Sequence, residues 1–369
     1  VHLVSDVPVH IRSILYVPAH LDLGPLRSPT DSGLRLYSKK ILIQENNTDL
    51  LPNYLRFVEG VVDSEDLPLN ISRETVQSTR VMRQIERSLT TRMIKAFSEL
   101  ATEQPDDYVQ FWGEFGVFLK QGIATDPFIY DDLLPLLRFY SSKSGDELIS
   151  LGTYAARMQE EQPAIYYILG EDLESVKRSP HLDYFRQHDV EVLYLVDPLD
   201  GLTMQSLREF EGKPFQSVES ADLEVPEEKE SEEREMTLPQ DEFDALVGRF
   251  KAILGDRIKE IRESKVLRDS PCRLVSPGGG AERDLQRVRR LLGEKYEIPP
   301  RILEINRGHP LIGQLARMVK KGASPGVVEA AIEQLFANQL LLEGTLPNPA
   351  EMVPRIQTLL EAATLSEEN

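Results

Sequence analysis

EGVVDSEDLPLNISRETVQ, Glu59 to Gln77, sets the pattern for the first half of the chain. An apolar, strand-like run closes at Val62, and an acidic loop follows with Asp63, Glu65 and Asp66. A proline and an Asn-Ile-Ser turn then lead through Arg73 into a long amphipathic repeat. Helix starts favour negative charge, because their unsatisfied N–H groups carry a partial positive charge. An arginine there works against the dipole and calls for an anion. The residues alone offer two kinds. One is a neighbouring carboxylate in an ordinary surface ion pair. The other is an anionic group brought from elsewhere, since a guanidinium is permanently charged and its donor fork matches phosphate oxygens.

Before this stretch the chain reads as strands, HIRSILYVPA, LRLYSKKILIQ and YLRFVEGVVD, the first two separated by the turn-rich LGPLRSPTDSG. After Arg73 the apolar residues Val76, Met82, Ile85, Leu89, Met93, Ile94 and Phe97 follow helical spacing. YVQFWGEFGVFLKQG, DDLLPLLRFYSS and SLGTYAARMQEE read as further helices, with Ser150 as the N-cap of the last. Trp112, among Phe111, Phe115 and Phe118, reads as core. A strand-helix-strand-helix-strand unit follows: AIYYILG, LESVKRSPHLDYFRQHD, VEVLYLV, DGLTMQSLREFEG and FQSV, the pattern of a small α/β layer.

The segment 219–240 is acidic and lacks aromatics over EVPEEKESEEREM, as a solvated linker or a solvated helix extension would. Beyond it, Phe243, Leu246, Val247, Phe250 and Ile253 mark a helix, CRLVSP and RILEIN two strands, and PGGGAERDLQRVRRLLG a loop entering a basic amphipathic helix. Three helices close the chain, one starting at Ser324-Pro325 as N-cap and first helical residue and stopping at Gly344.

The 369 residues carry a net charge of -19, which disfavours nucleic acid as a partner, since phosphate binding needs a basic face. Cys272 is the single cysteine, so no intrachain disulfide forms and a cytoplasmic setting is expected. No apolar run is long enough to cross a bilayer, and no membrane partner is expected. The sequence begins with Val1 in mid-pattern, without a signal peptide, as a fragment would. His181, His188 and His309 have no metal-ligand spacing, and SPGGGAERD lacks the Lys-Ser/Thr of a P-loop. No self-contained active site or metal site is expected.

YLRFVEGVVDSEDLPLNISRETVQ resembles, nearly throughout, the signature loop of the heat-shock protein 90 chaperone family. FWGEFGVFLKQG, LLRFYSS, YAARMQEEQPAIYYI, SPHLDYFR, EVLYLVDPLD, LREFEGKPFQSV, RILEINRGHPLI and NQLLLEGTLPNPAEMVPRIQTLL are similar to later parts of that family, in order, so the likeness covers essentially the whole chain. The short linker and compact C-terminal end resemble the bacterial branch. The fold class expected is an α/β middle region followed by an α+β C-terminal dimerisation domain. The middle domain is expected over 1–218 (larger α/β subdomain with connecting helices 1–145, smaller α/β subdomain 146–218), the acidic linker over 219–240 and the dimerisation domain over 241–369.

The resemblance implies an ATP-dependent, cytoplasmic stress-response chaperone working as a homodimer on unfolded or partly folded client proteins. ATP, with Mg, would be bound mainly by an N-terminal domain whose nucleotide motifs have no counterpart here, so this stretch alone is expected to lack ATPase activity. It further implies that Arg73 reaches the ATP γ-phosphate as the catalytic residue, with Asn70 and Gln77 on the same loop in contact with the nucleotide. Asp63, Glu65 and Asp66 would hold the loop when no nucleotide is near. Client contacts would come from Leu202 and Met204 and from Leu285 and Leu292 of the basic helix. By their residue types alone these serve equally as core or as solvated helix packing. Gly201-Leu202 departs from the acidic-aromatic pair expected in some bacterial relatives. The last two helices carry broad apolar faces, with Leu335, Phe336 and Leu342 on one and Ile356 and Leu359 on the other. Two such helices do not bury both faces on each other. Either a two-fold partner completes a four-helix bundle, or they dock on the preceding strands. A nucleotide-independent dimeric scaffold is the alternative function.

Overall fold

Strand periodicity of two opens the chain. In β1 (His2–Ser5) and β2 (Ile11–Tyr16) exposure alternates, with Ile11, Ser13 and Leu15 inward and Arg12, Ile14 and Tyr16 outward. The computed structural model describes residues 1–7, 9–20, 33–67, 80–126, 129–220, 223, 238–276, 300–322 and 324–365. The chain forms two compact units, Val1–Arg138 with Ser150–Gly152, and Phe139–Ile149 with Thr153–Asn369.

In the first unit, β3 (Leu34–Ser38), β4 (Ile41–Asn47) and β5 (Glu59–Asp63) complete a five-stranded sheet of order β1-β2-β5-β3-β4. β5 is central, antiparallel to β2 and parallel to β3. Gly60 permits this closeness: its φ is +146°, and an added Cβ would lie 2.1 Å from the Ile14 carbonyl oxygen. Two long helices, α1 (Arg80–Glu103) and α2 (Pro105–Thr125), follow. α1 buries the expected row from Met82 to Phe97. α2 starts on Pro105 with Asp106 and Asp107 in its first turn, as the helix dipole favours. Phe57 stacks on Phe115 at 4.6 Å and Phe97 on Phe111 at 4.7 Å, and Trp112 is buried beside them.

DDLLPLLRFYSS is not one helix. It is the single turn α3 (Tyr130–Leu133), a 3-10 turn Leu134–Leu136 and the strand β6 (Arg138–Ser141). Pro135 lacks the N–H that would continue the helix.

The second unit begins with a six-stranded sheet ordered β10-β11-β8-β9-β6-β7. Its further elements are β7 (Ile149–Ser150), α4 (Leu151–Arg157), β8 (Ile165–Leu169), α5 (Leu173–Lys177), α6 (Asp183–Gln187), β9 (Leu193–Leu195), α7 (Asp200–Ser206), β10 (Glu209–Phe210) and β11 (Lys213–Ser217). β8 is buried throughout and pairs in parallel with β9 and β11, as the alternating pattern predicts. The expected helix from Leu173 to Asp189 is two short ones. Asp172 caps α5 by accepting the Ser175 N–H at 2.9 Å, and a 3-10 turn at Pro180–Leu182 separates it from α6. Ser150, the last residue of β7, directly precedes α4.

The same unit continues with α8 (Gln240–Leu254), β12 (Ile258–Glu263), β13 (Cys272–Val275), β14 (Arg301–Ile305), α9 (Pro310–Lys321), α10 (Pro325–Leu342) and α11 (Met352–Leu365). β14 lies between β12 and β13, parallel to the first and antiparallel to the second. Phe243, Phe250, Leu274, Leu303, Ile332 and Phe336 share one core. Cys272 lies in that core, and burial pushes its thiol up to about 12. Ser324 precedes Pro325 as expected, but its φ of 41° leaves its side chain out of any capping bond, while Gly344 does stop α10 with φ +66°. The fold is thus mixed α/β, with several sheets and eleven helices among the described residues.

Candidate functional site

The loop carrying Arg73, Asn70 and Gln77 lies outside the described residues, but both of its stems are defined. It leaves the C-terminal end of β5, the central strand, and the chain is described again where α1 begins at Arg80. The outgoing stem is fixed from both sides. The Ser64 N–H donates to the Tyr37 carbonyl at 3.1 Å, extending the β3–β5 pairing. The Ser38 hydroxyl donates to the Leu67 carbonyl at 2.6 Å, and both residues are buried. Two of the three acidic side chains serve backbone donors. Asp63 accepts the Lys40 N–H at 3.2 Å, at a turn where Lys39 and Lys40 both have positive φ. Asp66 accepts the His10 N–H at 2.8 Å. These carboxylates therefore hold the strand end to the neighbouring turns, a job their sequence position did not suggest.

The other candidate residues are distributed over the second unit. Leu202 on α7 is 37% exposed, whereas Met204 is buried two residues on, so only the former is offered to solvent. α7 is anchored by the buried Asp200, whose carboxylate accepts the Asp197 N–H at 2.9 Å. Leu285 and Leu292 lie outside the described residues. Leu335 and Phe336 point into the protomer's own core, where the Arg257 guanidinium also stands 5.2 Å over the Phe336 ring. Leu342 and Leu359 are half-buried. The exposed apolar row on α11 is Val353, Ile356 and Leu360, at 62%, 40% and 61%, with Leu341 of α10 at 46%. Spacings of three and four place the α11 residues on one face. The sequence reading named Ile356 and missed Val353 and Leu341.

Among the described residues no group of three or more His, Cys, Asp or Glu could hold a metal ion, and no helix is long and apolar enough to cross a membrane.

The family model described as Hsp90 protein matches residues 1–369, and the chain belongs to the Hsp90 family. Chaperone protein HtpG of Desulfitobacterium hafniense (strain Y51) is 39% identical over 98% of this chain and 59% of its own length. HtpG of Roseobacter denitrificans is 38% identical over 96% of the chain and 58% of its own length. HtpG of Chlorobaculum tepidum is 39% identical over 99% and 59%. The chain thus spans 59% of the length of the first of these relatives.

Proposed function

We propose that the chain supplies the middle and C-terminal parts of an ATP-driven chaperone that holds partly folded client proteins between the arms of a homodimer. The match to the family over all 369 residues carries this reading. In it, residues 1–218 form the middle domain, 219–240 an acidic linker and 241–369 the dimerisation domain. ATP, with Mg, is bound mainly by a further domain, and the triphosphate supplies the bond that is hydrolysed. The protein acts in the cytoplasm.

Arg73 is the chain's contribution to that chemistry. Its guanidinium meets the γ-phosphate and offsets charge that develops as the phosphoryl group transfers, with Asn70 and Gln77 as neighbouring polar contacts. The stem that leads to Arg73 is fixed up to Leu67 by the Ser64 and Ser38 hydrogen bonds. Because Asp63 and Asp66 already serve the Lys40 and His10 amides, the stem does not rely on Arg73 for its shape. Clients contact Leu202, which is exposed, with Leu285 and Leu292 as further proposed contacts, while the buried Met204 backs Leu202 from within the protomer. The dimer forms where α10 and α11 of two copies meet, around Leu342, Ile356 and Leu359, with Leu335 and Phe336 backing the seam.

The alternative is a dimeric scaffold that holds clients without nucleotide. Solution scattering of a protein of the relatives' full length, with and without a non-hydrolysable ATP analogue, separates the two. Compaction of a dimer on adding the analogue is expected. A dimer whose scattering ignores the analogue would favour the scaffold.

A further inference from the structure

Asp183, the first residue of α6, is buried, yet its charge is spent on another part of the chain. One carboxylate oxygen accepts three successive backbone N–H groups, from Arg268 at 3.3 Å, Asp269 at 3.1 Å and Ser270 at 2.8 Å. The other accepts the Ser270 hydroxyl at 3.2 Å, and the nearest Arg186 nitrogen stands off at 3.8 Å. Successive amides around one anion form a concave nest, here filled by a side chain of the 139–220 layer. The residues that supply the nest belong to the strap Ser264–Pro271, which joins β12 to β13.

The strap's backbone is divided between two masters. Its N–H groups face Asp183. Its carbonyls at Arg268 and Ser270 accept from the Asn306 amide at 2.7 and 3.2 Å, at the end of β14. Ser264 ties its start to Glu304 at 3.1 Å, and Val266 inserts into the core of the α/β layer. Other polar contacts also join the layer to the C-terminal domain, among them the bridge between Ser220 and Ser276. Arg273 reaches the Val218 carbonyl at 3.4 Å and the His181 ring at 3.5 Å. A small cavity remains there, lined by Ser179, His181, Glu219 and Glu343 together with apolar side chains such as Ile168 and Leu342.

We propose that Asp183 and the 264–271 strap form a releasable latch between the smaller α/β layer and the C-terminal domain. Four bonds converge on one carboxylate, so they form and break together. Every group set free is strongly hydrated, which lets the joint open without stranding a polar atom. Polar seams of this kind between parts of one chain permit relative motion, where a fully apolar seam would not. Val266, returning to its socket, resets the register on closing.

The test uses the whole chain with spin labels at Glu161→Cys and Lys321→Cys, two exposed positions on either side of the joint. Cys272 is buried and escapes labelling. A narrow distance distribution is expected in the parent, widened at least twofold by Asp183→Asn, with the amides of residues 268–270 exchanging hydrogen at least tenfold faster and those of α10 unchanged. Asn306→Asp, which repels the strap carbonyls from the opposite side, should widen the distribution in the same way and decides the matter if Asp183→Asn does not fold. A narrow distribution in either folded variant, or faster exchange spreading through α10, would overturn the latch.

Discussion

Arg273 and Glu304 face each other across the β13–β14 pairing at 2.7 Å, both buried, with Arg262 on the carboxylate's other oxygen at 2.7 Å. Burial alone would push the Glu304 carboxyl up. The Arg273 charge and the hydrogen bonds from Arg262 and Arg273 outweigh it, and the carboxyl is held below its usual range. A carboxyl depressed in the folded state adds stability that is present above its unfolded value, near 4.3, and is lost as pH falls through the folded value. Glu304→Gln should therefore flatten the acid limb of the stability curve below about pH 4.3. Glu304→Ala, which leaves Arg273 buried without its anion, should cost about 3–5 kcal/mol at pH 7 by urea unfolding. An unchanged acid limb in Glu304→Gln would show that this pair does not set it.

Gly60→Ala should destabilise the first unit by about 1–3 kcal/mol or more, because the added methyl meets the Ile14 carbonyl and the residue must keep a positive φ. A shift in urea midpoint read by the single tryptophan, Trp112, in that unit checks this. A midpoint within error of the parent would mean that β5 can withdraw from β2 freely.

Phe336 and Leu360 should separate core from seam. Phe336→Ala empties a core site and should cost about 3–5 kcal/mol in the C-terminal domain. Leu360→Glu, at an exposed position, should leave the protomer's melting behaviour intact while sedimentation shows monomer. A dimer that survives Leu360→Glu and Ile356→Glu would move the interface off α11.

Cys272 should resist an aromatic disulfide reagent at pH 8 in the folded protein and react at once in denaturant, since only the thiolate attacks and burial suppresses it. Fast reaction under native conditions would mean that the C-terminal core opens readily.

Much of the fold was legible because its elements bury one face. The period of α1 from Met82 to Phe97 and the fully apolar β8 declare themselves. Pro135 and Pro180 were equally visible, and reading helices across them ignored the missing N–H. β12 was not legible: IKEIRE buries only Ile261, so neither alternation nor an apolar run marks it. α10 is apolar nearly all round, from Val328 through Leu335 and Phe336 to Leu341, and such a pattern does not say which side faces inward. That is why Leu335 and Phe336, named for a dimer seam, lie in the protomer core, while Val353 was passed over. Of the candidate loop, the residue types were readable, but the service of Asp63 and Asp66 to distant amides depends on tertiary pairing that no local pattern carries.

The central claim is that the Arg73 guanidinium serves a phosphate bound by another domain. Steady-state ATP turnover by a protein of the relatives' full length, compared with its Arg73→Ala variant, tests it most directly. Removing a charged donor from developing phosphoryl charge should lower turnover by about 10²-fold or more while the dimer and its nucleotide affinity persist. Equal turnover in the two proteins would contradict the account.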